Sequence, residues 1–138
     1  MNLGLRDQYQ VLKFVQKYIQ YFGGDADRVT VGGLSAGAHA VGFHYQHVEE
    51  SGKPLLSGAI FQSGGPATRA FPDITYPLYV EQFHEYLRGV GCYGEKRDEG
   101  LLKCLRSVDI EVINSISTKM WHDSEYHVIW PFQPVSGN

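Results

Sequence analysis

The chain has 138 residues, 43% of them hydrophobic and 20% charged, enough apolar material for a domain with a core and too much for wholesale disorder. A net charge of −3, with the Lys and Arg scattered rather than striped, excludes the basic face that tracks a nucleic-acid backbone. No apolar run approaches the ~18 residues that cross a bilayer, and Arg6, Asp7, Gln8 and Gln10 break up the opening segment, so neither a transmembrane helix nor a signal peptide is expected.

Residues 3 to about 22 carry a helical period. Leu5, Tyr9, Leu12, Val15, Ile19 and Phe22 fall on one face, and Lys13, Gln16, Lys17 and Gln20 on the other. Asn2 is the expected N-cap and Gly23-Gly24 the stop. After Asp25-Ala26-Asp27, the run from Arg28 to Gly32 reads as a short strand. It leads into Gly33-Leu34-Ser35-Ala36-Gly37, the Gly-x-Ser-x-Gly pattern of a nucleophile elbow. In such an elbow the serine occupies a strained turn that projects its Oγ, and a Cβ on either flanking glycine is expected to collide with a neighbour. The helix that opens next aims backbone N–H groups and its positive dipole end at a developing oxyanion. A β-branched run precedes the turn and a helix-compatible run follows it, as this chemistry requires. The alternative is a Gly-rich turn with an idle serine.

Ala36 to about His47 is expected to be helical, with Gly37, Ala38, Ala40 and Gly42 letting it lie close on a sheet. Residues 51 to 54 read as a loop, and Ser57 to Gln62 as a short buried strand ended by Ser63-Gly64-Gly65-Pro66. The order helix, strand, helix, strand predicts an α/β class with parallel pairing and a right-handed crossover. Residues 66 to 75 form a loop. Pro77 suits the first turn of a helix running to about Val90, with Tyr79, Phe83, Tyr86, Leu87 and Val90 inward. A Gly-rich turn at 91–94 precedes two short helices, one from about Asp98 to Ser107 and one from an N-cap at Asp109 to Ser117. Met120 to Asn138 is aromatic and irregular, and is expected to be loop.

The chain's two cysteines, Cys92 and Cys104, are too few for a disulfide scaffold and do not have zinc spacing. One loop-closing bridge in an oxidising compartment remains open to them. The histidines are the candidate bases: His39, His44, His47, His84, His122 and His127. His39 lies one turn after Ser35 on the same helix, where it reads better as a surface side chain than as a base reaching over Oγ. His44 and His47 have metal-ligand spacing but no evident third ligand, so no metal and no cofactor is expected. His122 and His127, with Asp123 and Glu125 nearby, make a makeshift base and acid. Phe71, Tyr76, Trp121 and Trp130 either line an acyl or alcohol pocket or cover the core. Ser63 reads as a turn hydroxyl, and Asp7 with Arg28 as a structural ion pair.

The segments Asn2-Leu3-Gly4-Leu5-Arg6-Asp7-Gln8, Phe22-Gly23-Gly24-Asp25, Arg28-Val29-Thr30, Gly33-Leu34-Ser35-Ala36-Gly37-Ala38 and Ala59-Ile60-Phe61-Gln62-Ser63-Gly64 occur in an order and spacing that resemble the type-B carboxylesterase, cholinesterase and fungal lipase family. Further on, Leu101-Leu102-Lys103-Cys104-Leu105-Arg106 with Cys92 resembles that family's disulfide loop, and Trp130-Pro131-Phe132-Gln133-Pro134-Val135 its aromatic-Pro-Val stretch. The resemblance implies a partial α/β-hydrolase fold: one domain fragment over 1–138, with the central sheet and elbow in 1–66 and a helical, loop-rich section in 67–138. It implies hydrolysis of a small-molecule or lipid ester through an acyl-enzyme, with Ser35 as nucleophile and the Ala36 N–H as one oxyanion donor. Secretion is common in the family. Its Gly-Gly oxyanion loop would precede this chain, and its acidic and histidine triad members would follow it, supplied by the remainder of the domain. Leu34 stands where the family commonly has Glu, whose usual contact is at the position of Ser63. The competing expectation is a non-catalytic, cholinesterase-like binding module or an inert truncated remnant.

Overall fold

The computed structural model describes residues 1–47, 52, 54–95, 99–124 and 129–136. They form two compact units, Met1–Arg69 and Ala70–Asn138. The expected residues 51 and 53 of the first loop, Asp98 at a helix start, and Glu125 and His127 lie outside the described residues.

In the first unit, α1 (Leu3–Tyr18) tightens into a 3-10 turn at Ile19–Phe22 and stops at Gly23, whose φ of 80° is the left-handed geometry that glycine enters freely. Asn2 also has a left-handed backbone but makes no side-chain cap bond, so the helix starts without the predicted cap. Leu12 is buried, whereas Phe22 is 78% exposed. Gln16, expected on the solvent face, is half-buried because its Nε2 donates to the carbonyls of Ala26 and Leu55, both at 2.8 Å. One amide thus ties α1 to two separate loops.

The strand expected from Arg28 begins later. Asp25 accepts from the Asp27 N–H at 2.9 Å, winding Ala26–Arg28 into a 3-10 turn, and β1 follows at Thr30–Leu34. It pairs in parallel with β2 (Gly58–Gln62), in a register that sets Thr30 opposite Gly58 and Leu34 opposite Gln62. Between them runs α2 (Ala36–Gln46), which packs on both strands. Its small residues permit a close approach: a Cβ on Gly42 would stand 2.7 Å from the Pro66 ring. β2 is not the buried strand expected, since Ile60 is 59% and Phe61 42% exposed.

In the second unit, α3 (Pro77–Gly89) opens on Pro77 as expected and ends at Gly91, φ 78°. The Cys92 N–H reaches back to the Leu87 carbonyl at 2.8 Å. Leu87, Val90, Cys92 and Leu101 form the core of this unit, with Leu105, Ile113 and Ile116 packed around them. A disulfide joins Cys92 to Cys104 on α4 (Glu99–Ser107), with a Cα–Cα separation of 5.9 Å. Asp109 caps α5 (Ile110–Asp123), accepting from the Glu111 N–H at 2.8 Å. This helix does not stop at Ser117. Met120 continues the stripe of Ile113 and Ile116 and is buried, and Ser124 ends the helix through its Oγ bond to the Met120 carbonyl at 2.6 Å. A bridge from Asp73 to Ser136 joins the flanking loops.

Two tests follow from this packing. The disulfide closes a loop with a sequence separation of 12, so reduction, or Cys92→Ala with Cys104→Ala, should cost about 3 kcal/mol and lower the thermal midpoint by about 10 °C in melts with and without reductant. Gly42→Ala forces a methyl into Pro66 and should cost about 1–3 kcal/mol by denaturant titration, although alanine favours a helix.

Candidate active site: the serine at the strand-to-helix turn

Ser35 follows the last paired residue of β1 and precedes the first residue of α2. Its backbone lies at φ 53°, ψ −118°, a region where a side-chain-bearing residue is strained by about 1–3 kcal/mol. Three hydrogen bonds hold it there. The Ser35 N–H donates to the Gln62 carbonyl at 2.8 Å, extending the parallel ladder by one rung, and the Ser35 carbonyl accepts from Ala38 N–H at 2.9 Å and His39 N–H at 3.2 Å. The side chain makes no cap bond, Ser35 is exposed, and no group among the described residues hydrogen-bonds its Oγ. The N–H groups of Ala36 and Gly37 lie in the first turn of α2, where a helix offers no acceptor and its dipole is positive.

The glycines of the motif differ. A Cβ on Gly33 would stand 2.2 Å from the Gly37 carbonyl oxygen and 2.7 Å from the Ala38 nitrogen, so only glycine fits. A Cβ on Gly37 meets nothing within 4 Å among the described residues. The expectation that both glycines avoid a collision therefore holds for Gly33 alone. Gly37 instead borders a recess of about 260 Å³ whose walls include Leu12, Val31 and Val41. Leu34, in the position before the serine, is 61% exposed. At the matching end of β2, Ser63 also has a positive φ of 54°, so both strands break at the same level. Next to it, a Cβ on Gly64 would stand 2.7 Å from the Ser35 carbonyl oxygen.

Four histidines among the described residues have other partners. His39 Nδ1 lies 2.7 Å from the Gly65 carbonyl and 3.2 Å from Thr68 Oγ1. A carbonyl only accepts, so Nδ1 carries a proton and is not the basic nitrogen. His44 Nε2 lies 3.0 Å from Gln8 Oε1, and burial, reinforced by the nearby His47, pushes its pKa down. His47 stands edge-on to Tyr9 at 5.1 Å and His84 edge-on to Tyr93 at 5.6 Å. His122 is exposed near the end of α5, and Asp123, its proposed acid, is paired with Lys119, whose pKa it raises through that hydrogen bond. Asp7 and Arg28 form no ion pair among the described residues. Thr68 and Gly65, which hold His39, carry no sequence signal of that role, because they lie 29 and 26 residues from it.

The second unit contains a cavity of about 290 Å³ with mainly apolar walls, among them Ile74, Tyr79, Phe83, Tyr86, Met120 and Phe132. None of Phe71, Tyr76, Trp121 and Trp130 lines it. Trp121 and Trp130 instead pack on each other at 4.6 Å, and Tyr76 on Tyr79 at 5.9 Å. Burial raises the Tyr79 pKa, and its hydroxyl accepts from Gln133 Nε2 at 2.6 Å. The face of α3 read as core-facing is thus partly a cavity wall.

The model of the carboxylesterase family matches residues 1–138. The chain is 51% identical over 137 residues to Secreted lipase 4 of Gibberella zeae, covering 99% of this chain and 25% of that protein. It is 38% identical over 125 residues to Lipase 1 of Geotrichum candidum, covering 83% of this chain and 21% of that one. It is also 38% identical over 117 residues to Pyrethroid hydrolase Ces2a of Mus musculus, covering 84% of this chain and 20% of that one. The chain therefore spans a quarter or less of the length of these relatives. The family's α/β-hydrolase fold accounts for the strand, elbow, helix and strand order and for the parallel pairing of β1 with β2. Matched along its whole length, the chain belongs to the carboxylesterase family.

Proposed function

We propose that this chain carries the nucleophile of a carboxylic ester hydrolase and that Ser35 forms the acyl-enzyme. The observation that carries this reading is the backbone of Ser35, held at φ 53° between a strand and a helix with its hydroxyl exposed. Strain of this kind persists only where surrounding structure enforces it, and it favours an outward-facing nucleophile. In the reaction, Oγ attacks the ester carbonyl carbon and loses its proton to a base. The carbonyl oxygen becomes an oxyanion next to the Ala36 N–H and the positive end of α2, the alcohol leaves with a proton, and water then hydrolyses the acyl-serine. No described histidine hydrogen-bonds Oγ, so the base is assigned to the remainder of the family's domain. Relatives named as lipases and as a pyrethroid hydrolase support an ester with an apolar acyl or alcohol part as substrate. A relative named as a secreted lipase, together with the Cys92–Cys104 disulfide, supports an extracellular location.

The absence of a base at Ser35 among the described residues favours a second reading, a carboxylesterase-like module that binds without turnover. Labelling with a fluorophosphonate separates the two. With the remainder of the domain present to supply the base, the first reading expects Ser35 to be labelled and Ser35→Ala to be blank, with the thermal midpoint unchanged. A wild-type protein that, with the remainder of the domain present, takes no label and hydrolyses p-nitrophenyl esters at the buffer rate leaves the second reading in place. The elbow itself is tested by its glycines. Gly33→Ala should lose about 2–3 kcal/mol of stability together with the label. Gly37→Ala should hold stability or raise it by up to ~1 kcal/mol, with labelling retained.

A further inference from the structure

We propose that His39 is a positioning residue for Ser35: its Nδ1–H pins the segment after β2 across the elbow and so holds the serine backbone in its strained conformation. The proposal rests on Ser35 being the nucleophile and concerns the group that keeps it in place.

The segment from Gln62 to Gly65 is fixed to the elbow at both ends. At one end the Gln62 carbonyl accepts from the Ser35 N–H at 2.8 Å. At the other, the Gly65 carbonyl lies 2.7 Å from His39 Nδ1, one helical turn beyond Ser35. Between these two bonds the chain crosses the start of α2 with Ser63 at φ 54°. Gly64 lies so close that a Cβ there would stand 2.7 Å from the Ser35 carbonyl oxygen and 3.1 Å from Ala38 Cβ. That oxygen accepts from the Ala38 and His39 N–H groups of α2. The crossing segment therefore lies against the Ser35–Ala36 peptide, with room there for a glycine and not for a side chain.

Thr68 locks the far end. Its hydroxyl donates to the Gly65 carbonyl at 2.9 Å and accepts from the Gly65 N–H at 3.2 Å. With the Thr68 proton committed to Gly65, Thr68 Oγ1 faces His39 Nδ1 at 3.2 Å as a second acceptor. These donors and acceptors are consistent with a proton on Nδ1. Gly65 is buried, so removing the imidazole takes a donor from a carbonyl that water replaces poorly. A histidine serving only as helix surface would leave Ser35 unaffected.

The test compares four variants, His39→Ala, His39→Asn, His39→Gln and Thr68→Val, each made with the remainder of the domain present to supply the base. Two quantities are read: the rate of fluorophosphonate labelling at Ser35, and the hydrogen-exchange protection of the Ser35 amide. Asparagine places its amide near the position of Nδ1, whereas glutamine places it near Nε2. His39→Ala should slow labelling about three- to tenfold and lower the protection factor of the Ser35 amide by a similar factor. His39→Asn should restore both to within about twofold, while His39→Gln should resemble His39→Ala and Thr68→Val should fall between. The proposal is overturned if His39→Ala labels at the wild-type rate with its Ser35 amide fully protected, or if glutamine rescues as well as asparagine. If the wild-type protein takes no label even with the remainder of the domain present, the nucleophile reading fails, and amide exchange alone decides the positioning. Loss in His39→Ala with recovery in His39→Asn upholds it, and unchanged exchange refutes it.

Discussion

A single backbone conformation, the positive φ of Ser35, is the constraint on which the first unit depends. An L-residue does not stay there unaided, because its Cβ crowds its own carbonyl. The strain is offset by groups with no freedom to yield. β1 ends in register with β2, so the Gln62 carbonyl meets the Ser35 N–H. Gly33 leaves room for the Gly37 carbonyl at a distance that any side chain would fill. α2 lies low over both strands because Ala38 and Gly42 are small and buried. The turn is therefore a property of the whole strand–helix–strand unit, and the Gly-x-Ser-x-Gly pattern is its local mark.

The same unit is unusual in what it leaves uncovered. Parallel sheets are normally covered on both faces, yet Leu34 is 61% and Ile60 59% exposed. α2 supplies one covering layer over β1 and β2, and α1 is tied on by side-chain bonds such as those from Gln16. The second unit is held differently. Among the described residues its core cluster is Leu87, Val90, Cys92 and Leu101, clamped by a disulfide, the usual remedy where little apolar surface can be buried.

What could be read from the sequence was what is local. The period of α1, proline at the start of α3, Asp109 as a cap and the breaks at Gly23 and Gly91 each depend on residues within a turn or two of one another. They appear within a few residues of where the pattern put them. The elbow was legible for the same reason. Features set by distant contacts were not. α5 outruns Ser117 because Met120 finds a buried place beside Gln82 and Pro131, which overrides the weak helix preference of Ser115, Ser117 and Thr118. Gln16 turned inward for two carbonyls on other loops, and Phe22, in the apolar stripe of α1, turned outward. The large aromatics Trp121 and Trp130 found each other instead of a pocket.

The histidines carry this contrast into the chemistry. A nucleophile elbow is built from five consecutive residues and is complete once its two strands and helix form. A base must arrive from elsewhere in the chain, and its approach is written only in tertiary structure. His39 shows how sequence proximity misleads. It stands one turn from Ser35, the nearest imidazole in the sequence, but its Nδ1 proton is bound to the Gly65 carbonyl. That nitrogen is the donor of the pair, because a carbonyl oxygen 2.7 Å away can only accept. What proximity gives His39 is leverage over the elbow's backbone: it joins the helix after the serine to the loop that crosses the serine's own carbonyl.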